Sequence, residues 1–164
     1  MHFMPATVLR GLRHLAVVSF CLLAAGAQAQ VTVKDPWVRG TVAQQKATGA
    51  FMQITAVAGG KLVSVTSPMA GVVEIHEMAM DGNVMKMRAV PALDLPAGKA
   101  VELKPGGYHV MLMELRQALQ PGQAVPLTLV VEVPGGRRET VQLSAPVRPL
   151  AAAPAHGTHG AHKH

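Results

Sequence analysis

The stretch Val72-Val73-Glu74-Ile75-His76-Glu77-Met78-Ala79-Met80-Asp81-Gly82-Asn83-Val84-Met85-Lys86-Met87-Arg88-Ala89 decides how the chain is read. Two short runs rich in Met and β-type residues flank Asp81-Gly82-Asn83, a tight-turn signal, so the runs are expected to pair as an antiparallel hairpin. His76 and Met87 then lie on neighbouring strands.

The same texture extends in both directions. Short β-type runs punctuated by Gly and Pro dominate, and no long stretch holds a 3.6-residue period. Strands are expected at 31–39, 48–57, 61–66, 72–80, 84–89, 99–103, 108–115, 125–133 and 139–145, and their number and spacing predict an all-β sandwich. Pro105-Gly106-Gly107 introduces the strand Tyr108-His109-Val110-Met111-Leu112-Met113. One helical turn is expected at Arg116 to Gln120, before Pro121-Gly122.

The ends have a different composition. Arg10 and Arg13, an apolar run from Leu15 to Ala25, and Ala27-Gln28-Ala29 make residues 1–29 a secretory signal with a cleavage site before Gln30. The apolar run is too short to span a bilayer, which takes about 20 residues. Cys21, the one cysteine, lies within it and follows Phe20 where a lipoprotein signal would want a small residue. The mature chain is therefore expected in the periplasm with no membrane span and no lipid.

Residues 30–149 are expected to form one domain, and residues 150–164 a disordered tail of Ala, Gly and Pro bearing His156, His159, His162 and His164.

Composition removes several function classes. Without a cysteine the mature chain has no disulfide, thiol nucleophile or blue-copper thiolate. Thirteen Lys and Arg against nine Asp and Glu after the signal give a formal +4, scattered and with few aromatics. No nucleic-acid platform is expected. No nucleophile-base pair, carboxylate pair or phosphate loop stands out, and Glu74 and Glu77 read as residues on opposite faces of one strand, so no catalysis is expected.

What remains are two imidazoles and a set of thioethers. His109 and Met111 stand at i and i+2, so a strand points both to one face. With His76 and Met87 they make four neutral donors suited to Cu(I): thioethers are soft, and imidazole serves both copper oxidation states. A thioether also survives in an oxidising compartment where a thiolate would pair. A solitary Met in a sandwich is usually core filling, the expectation for Met52, Met69 and Met85. A solitary His is more often a surface or hydrogen-bonded residue. Yet the domain's two histidines both fall in Met-rich strands.

The spacing His76, ten residues, Met87, twenty-one residues, His109, one residue, Met111 resembles the signature of the periplasmic copper chaperones called PCu(A)C. Gly107-Tyr108-His109-Val110-Met111-Leu112-Met113-Glu114-Leu115 and Asp35-Pro36-Trp37-Val38-Arg39 resemble that family too, over roughly 31–147. The resemblance implies a cupredoxin-like, Greek-key β-sandwich that binds Cu(I) through His76, Met87, His109 and Met111. It implies supply of copper to the binuclear site of cytochrome c oxidase, directly or through a thiol-bearing copper chaperone, by a monomer.

Met78 is an auxiliary candidate, with packing the stronger expectation. The tail resembles the His-rich extensions of some members; having imidazoles alone, it should favour Cu(II) or Zn(II). Ala56-Val57-Ala58 departs from the Asn-containing turn of many members. Two other readings stay open: a copper-buffering or detoxification protein, and a metal-free sandwich that serves adhesion or assembly.

Overall fold

The structure, a computed structural model, describes residues 30–149. The expected secretory signal and all four tail histidines lie outside the described residues.

Ten strands form: β1 (Val31–Arg39), β2 (Ala47–Ala56), β3 (Gly60–Thr66), β4 (Ala70–Asp81), β5 (Val84–Val90), β6 (Leu93–Leu95), β7 (Ala100–Leu103), β8 (His109–Leu115), β9 (Ala124–Val133) and β10 (Arg137–Arg148). Hydrogen bonding runs in the order β5-β4-β8-β2-β1-β10-β9-β3-β6, with β7 also on β2. The path folds over as a sandwich, the expected all-β class. Its corner is β10, which pairs with β9 over Arg137 to Pro146 and then, through Val147 and Arg148, runs parallel to β1.

Alternation along the strands supplies the core. Ala50, Met52 and Ile54 of β2, Val110 and Leu112 of β8 and Ile75 of β4 point inward, meeting Leu62, Leu127, Leu129 and Val131 of the other layer. Met52 is core, as expected, and Met69 packs against it. Met85 corrects the expectation: it is 47% exposed on the hairpin. Its strand β5 is an edge, paired on one side alone, so its side chains have no second layer to enter.

Two local features differ from the sequence reading. No helical turn forms at Arg116 to Gln120, because tertiary bonds claim that backbone: Arg116 N–H donates to Met69 O, and Leu119 exchanges bonds with Thr41. A tenth strand, β6, pairs three residues with β3 and buries Leu93 and Leu95. Three residues are too few for a periodic signal.

A bulge in β1 controls what its outer face presents. Lys34 opposes Gln53 but Trp37 opposes Phe51, so one extra residue is inserted around Asp35, whose φ is +47°. Since side chains alternate with period two, this single insertion turns Trp37 outward, beside Phe51, and keeps Val38 in the core.

The hairpin forms as expected, with Asp81 opposite Val84 around Gly82 (φ +64°) and Asn83. On one face it is tied by Glu77, which accepts from Arg88 Nε at 2.6 Å. That bond is the main reason the Glu77 carboxyl sits below its usual 4.5; burial opposes the shift, and the Tyr108 hydroxyl adds to it. A lowered folded value means the contribution is present above the unfolded value and fades as pH falls through the folded one. Amide protection factors along β5 are accordingly expected to drop with acid, and in Glu77→Gln to be lower at neutral pH and flat. Identical pH profiles for the two proteins would show that the tie does not hold the strand.

Candidate metal centre

Cross-strand register assembles the site on the outer face of the β5-β4-β8-β2 layer. In the β4–β8 ladder His76 stands directly opposite His109, with ring centroids 5.9 Å apart and planes at 55°. Two residues along β8 on the same face, Met111 stands opposite Glu74. In the β4–β5 ladder Met87 stands opposite Met78, one step diagonal from His76. Three adjacent strands thus contribute all four expected donors and the auxiliary candidate to one face.

The nitrogen atoms show what the arrangement lacks. His109 is 6% exposed, and its Nδ1 lies 2.9 Å from Gly107 O. A carbonyl only accepts, so Nδ1 carries the proton and the neutral ring leaves a lone pair on Nε2. That Nε2 lies 3.2 Å from Met87 Sδ. Two electron-pair donors converge there with no proton between them. A soft cation satisfies both.

His76 repeats the logic. Its Nε2 lies 2.8 Å from Glu74 Oε2, a carboxylate that accepts. The lone pair is then on Nδ1, which is buried without a hydrogen-bond partner. An orphaned buried acceptor is costly in a native structure and calls for a missing partner. Among the described residues no three His, Cys, Asp or Glu side chains cluster as a metal site. Any ion held here must draw on the thioethers.

A depression of about 280 Å³ opens beside these donors, lined by Met78, Met87, His109 and Met111 together with Phe51 and Arg39. His76 lies outside its lining. Phe51 lies 6.3 Å from His109 by ring centroids and is backed by Trp37, whose centroid is 4.4 Å away. Arg39 covers Phe51, and Arg148 covers Trp37. Gly49 makes room for this, since a Cβ there would come within 2.7 Å of the Phe51 ring.

Glu74 and Phe51 escaped the sequence reading. Glu74 was legible as a strand residue, and the signal that assigns more to it is its i, i+2 relation to His76, which puts both on one face. A carboxylate that fixes the tautomer of a ligating histidine usually accounts for 10- to 100-fold in metal affinity. Glu74→Gln, which keeps the size and removes the charge, is expected to weaken metal binding by a factor of about 10 or more. An unchanged dissociation constant for this variant would reduce Glu74 to a surface residue.

Likeness to known proteins follows this geometry. The family described as "Putative lipoprotein LpqE-like" matches residues 31–147. A protein of Leifsonia xyli named "Putative lipoprotein Lxx21020" is 33% identical over 102 residues, 60% of each chain. A Rickettsia prowazekii protein, RP573, is 32% identical over 108 residues, 62% of this chain and 60% of its own. The chain thus spans about 60% of the length of the curated relatives it matches. Among solved structures, the Cu(I) form of DR1885 from Deinococcus radiodurans is 33% identical, with a TM-score of 0.58 over 76% of this chain and 83% of that one. The apo PCuAC domain from PmoF1 is 25% identical, with a TM-score of 0.60 over 74% of this chain and 96% of that domain.

Proposed function

We propose, for a chain that belongs to the LpqE-like family of PCu(A)C domains, the function of an extracytoplasmic Cu(I) carrier. The observation that carries it is the contact between the His109 Nε2 lone pair and Met87 Sδ, with Met111 on the same face and the orphaned His76 Nδ1 across the ladder. The similar Deinococcus protein is a Cu(I) form. In this reading His76, Met87, His109 and Met111 hold the ion, with Met78 at the margin.

The chemistry suits transfer more than turnover. Four protein donors leave no position for a substrate, whereas catalytic metals keep one open. All four are neutral, so they hold Cu(I) less firmly than thiolates would, and a partner's cysteines take it by stepwise ligand exchange. Met87 leaves first: it is 49% exposed on the edge strand, while His109 is buried. Acid weakens the site through proton competition for the imidazoles and spares the thioethers.

The recipient in this reading is the copper-bearing subunit of cytochrome c oxidase, reached directly or through a thiol-bearing chaperone, and the location is the periplasm after cleavage near Ala29. The carrier acts as a monomer. The His-rich tail follows β10, whose last residue, Arg148, stacks on Trp37 beside the site. Its imidazoles suit capture of Cu(II), which an external reductant converts for the sandwich, since no mature cysteine supplies electrons.

The test is transfer. The Cu(I)-loaded chain from Gln30 onward is mixed anaerobically with the metal-free copper-bearing subunit, and the metal content of each is measured after separation. Movement of about one equivalent to the subunit supports delivery. Retention of copper by this chain, together with a deletion strain impaired only at high copper, would replace delivery with buffering.

A further inference from the structure

The methionines of this face outnumber the ligands the site needs. Of the eight from residue 30 onward, six lie on strands β4, β5 and β8 with side chains on the outer face: Met78, Met80, Met85, Met87, Met111 and Met113. Met80 and Met85 stand directly opposite one another, one rung beyond Met78 and Met87, at the tip of the hairpin. They are 61% and 47% exposed.

Packing does not explain this pair. A rung near a tight turn on an open face leaves both side chains largely in solvent, and β-branched or aromatic residues are the ones that favour strands. What Met80 and Met85 offer that Val or Thr would not is sulfur. Directly opposed side chains have Cβ atoms about 4.5–5.5 Å apart, and unbranched Met has the reach to bring two thioethers onto one ion.

We propose that Met80 and Met85 form a second, outer binding site for Cu(I), through which the ion enters and leaves the inner one. This rests on the carrier reading. Two neutral thioethers bind a soft monovalent ion weakly, which is what a point of exchange requires. The next rung, Met78 and Met87, is two residues away, about 7 Å along the strands. At each step one copper–sulfur bond forms as another breaks; no electron moves, and a thioether has no proton to release. Met87 links this rung to the inner site, since its sulfur also touches His109.

The experiment is a titration of the chain from Gln30 to His164, labelled with carbon-13 at the methionine methyls, using Ag(I) as a redox-inert stand-in for Cu(I). The Met87 and Met111 methyls are expected to shift within the first equivalent, and those of Met80 and Met85 to shift together above it. The double variant Met80→Leu, Met85→Leu keeps the apolar surface and removes both sulfurs. It should retain the first response and its affinity, and it should exchange Cu(I) with a chelator more slowly than the parent chain. If Met87 and Met111 respond while Met80 and Met85 stay still through excess Ag(I), the outer site is refuted and the carrier stands. If Met87 and Met111 are also silent, the carrier reading falls and the outer site with it.

Discussion

His109→Ala is expected to lower Cu(I) affinity by about 100-fold or more while the sandwich stays folded. An outer carboxylate or carbonyl that merely orients a ligand accounts for 10- to 100-fold in metal affinity, and His109 is the proposed ligand itself. It contributes the Nε2 lone pair at 3.2 Å from Met87 Sδ, and its ring is held by Gly107 and backed by Phe51. Removing it leaves Met87 facing a void and His76 without its cross-strand neighbour. Met111→Leu, close in size but without sulfur, should show a smaller loss in the same direction.

Anaerobic competition for Cu(I) against a chromophoric chelator measures both variants, and far-ultraviolet circular dichroism checks the fold. Tight binding of one equivalent, indifferent to both substitutions, would move the site elsewhere.

Leu112→Ala should do the reverse. Leu112 is the next but two along the same strand, points to the opposite face and is fully buried among the core residues of β2, β4 and the facing layer. Deleting a buried Leu side chain typically costs 2–5 kcal/mol through lost transfer energy and the cavity left behind. With about 3 kcal/mol lost from a domain of this size, Tm should fall by roughly 10 °C. Below the transition, copper affinity should be little changed. A Leu112→Ala protein that melts like the parent would mean the core collapses freely around β8, against the close packing the burial indicates.

These two expectations separate because strand β8 alternates. His109 and Met111 face the site, Met113 continues the same outer face, and Val110 and Leu112 face the core. The strand is the hinge between stability and function, and it lies centrally, flanked by β4 on one side and β2 on the other. The donor side chains it carries are thereby held on a strand that is hydrogen-bonded on both edges. Met87, on the edge strand, has one such edge and one free one.

Much of this was legible in the chain. Alternation and turn chemistry are local, so β1, the β4–β5 hairpin and the donor pair His109 and Met111 on β8 follow from residues within a few positions of one another. The same alternation put His109 and Met111 on one face of β8 before any neighbour was known. The absence of cysteine after residue 21 and the choice of donors are also local facts, and they point to a soft metal without any geometry.

The tertiary structure alone decided which strands became neighbours. Strand β8 inserts between β4 and β2, far apart in sequence, and it is this pairing that sets His76 opposite His109 and Glu74 opposite Met111. Loop closure costs grow slowly with length, so the chain between two strands says little about which of several partners each will take. The same holds for smaller features. The one-residue bulge that turns Trp37 outward depends on pairing with β2, and the bonds to Met69 and Thr41 that keep 116–120 from coiling come from segments distant in sequence. Sequence determined which side chains share a face of a strand; long-range hydrogen bonding decided which faces meet, and a metal site exists only where they do.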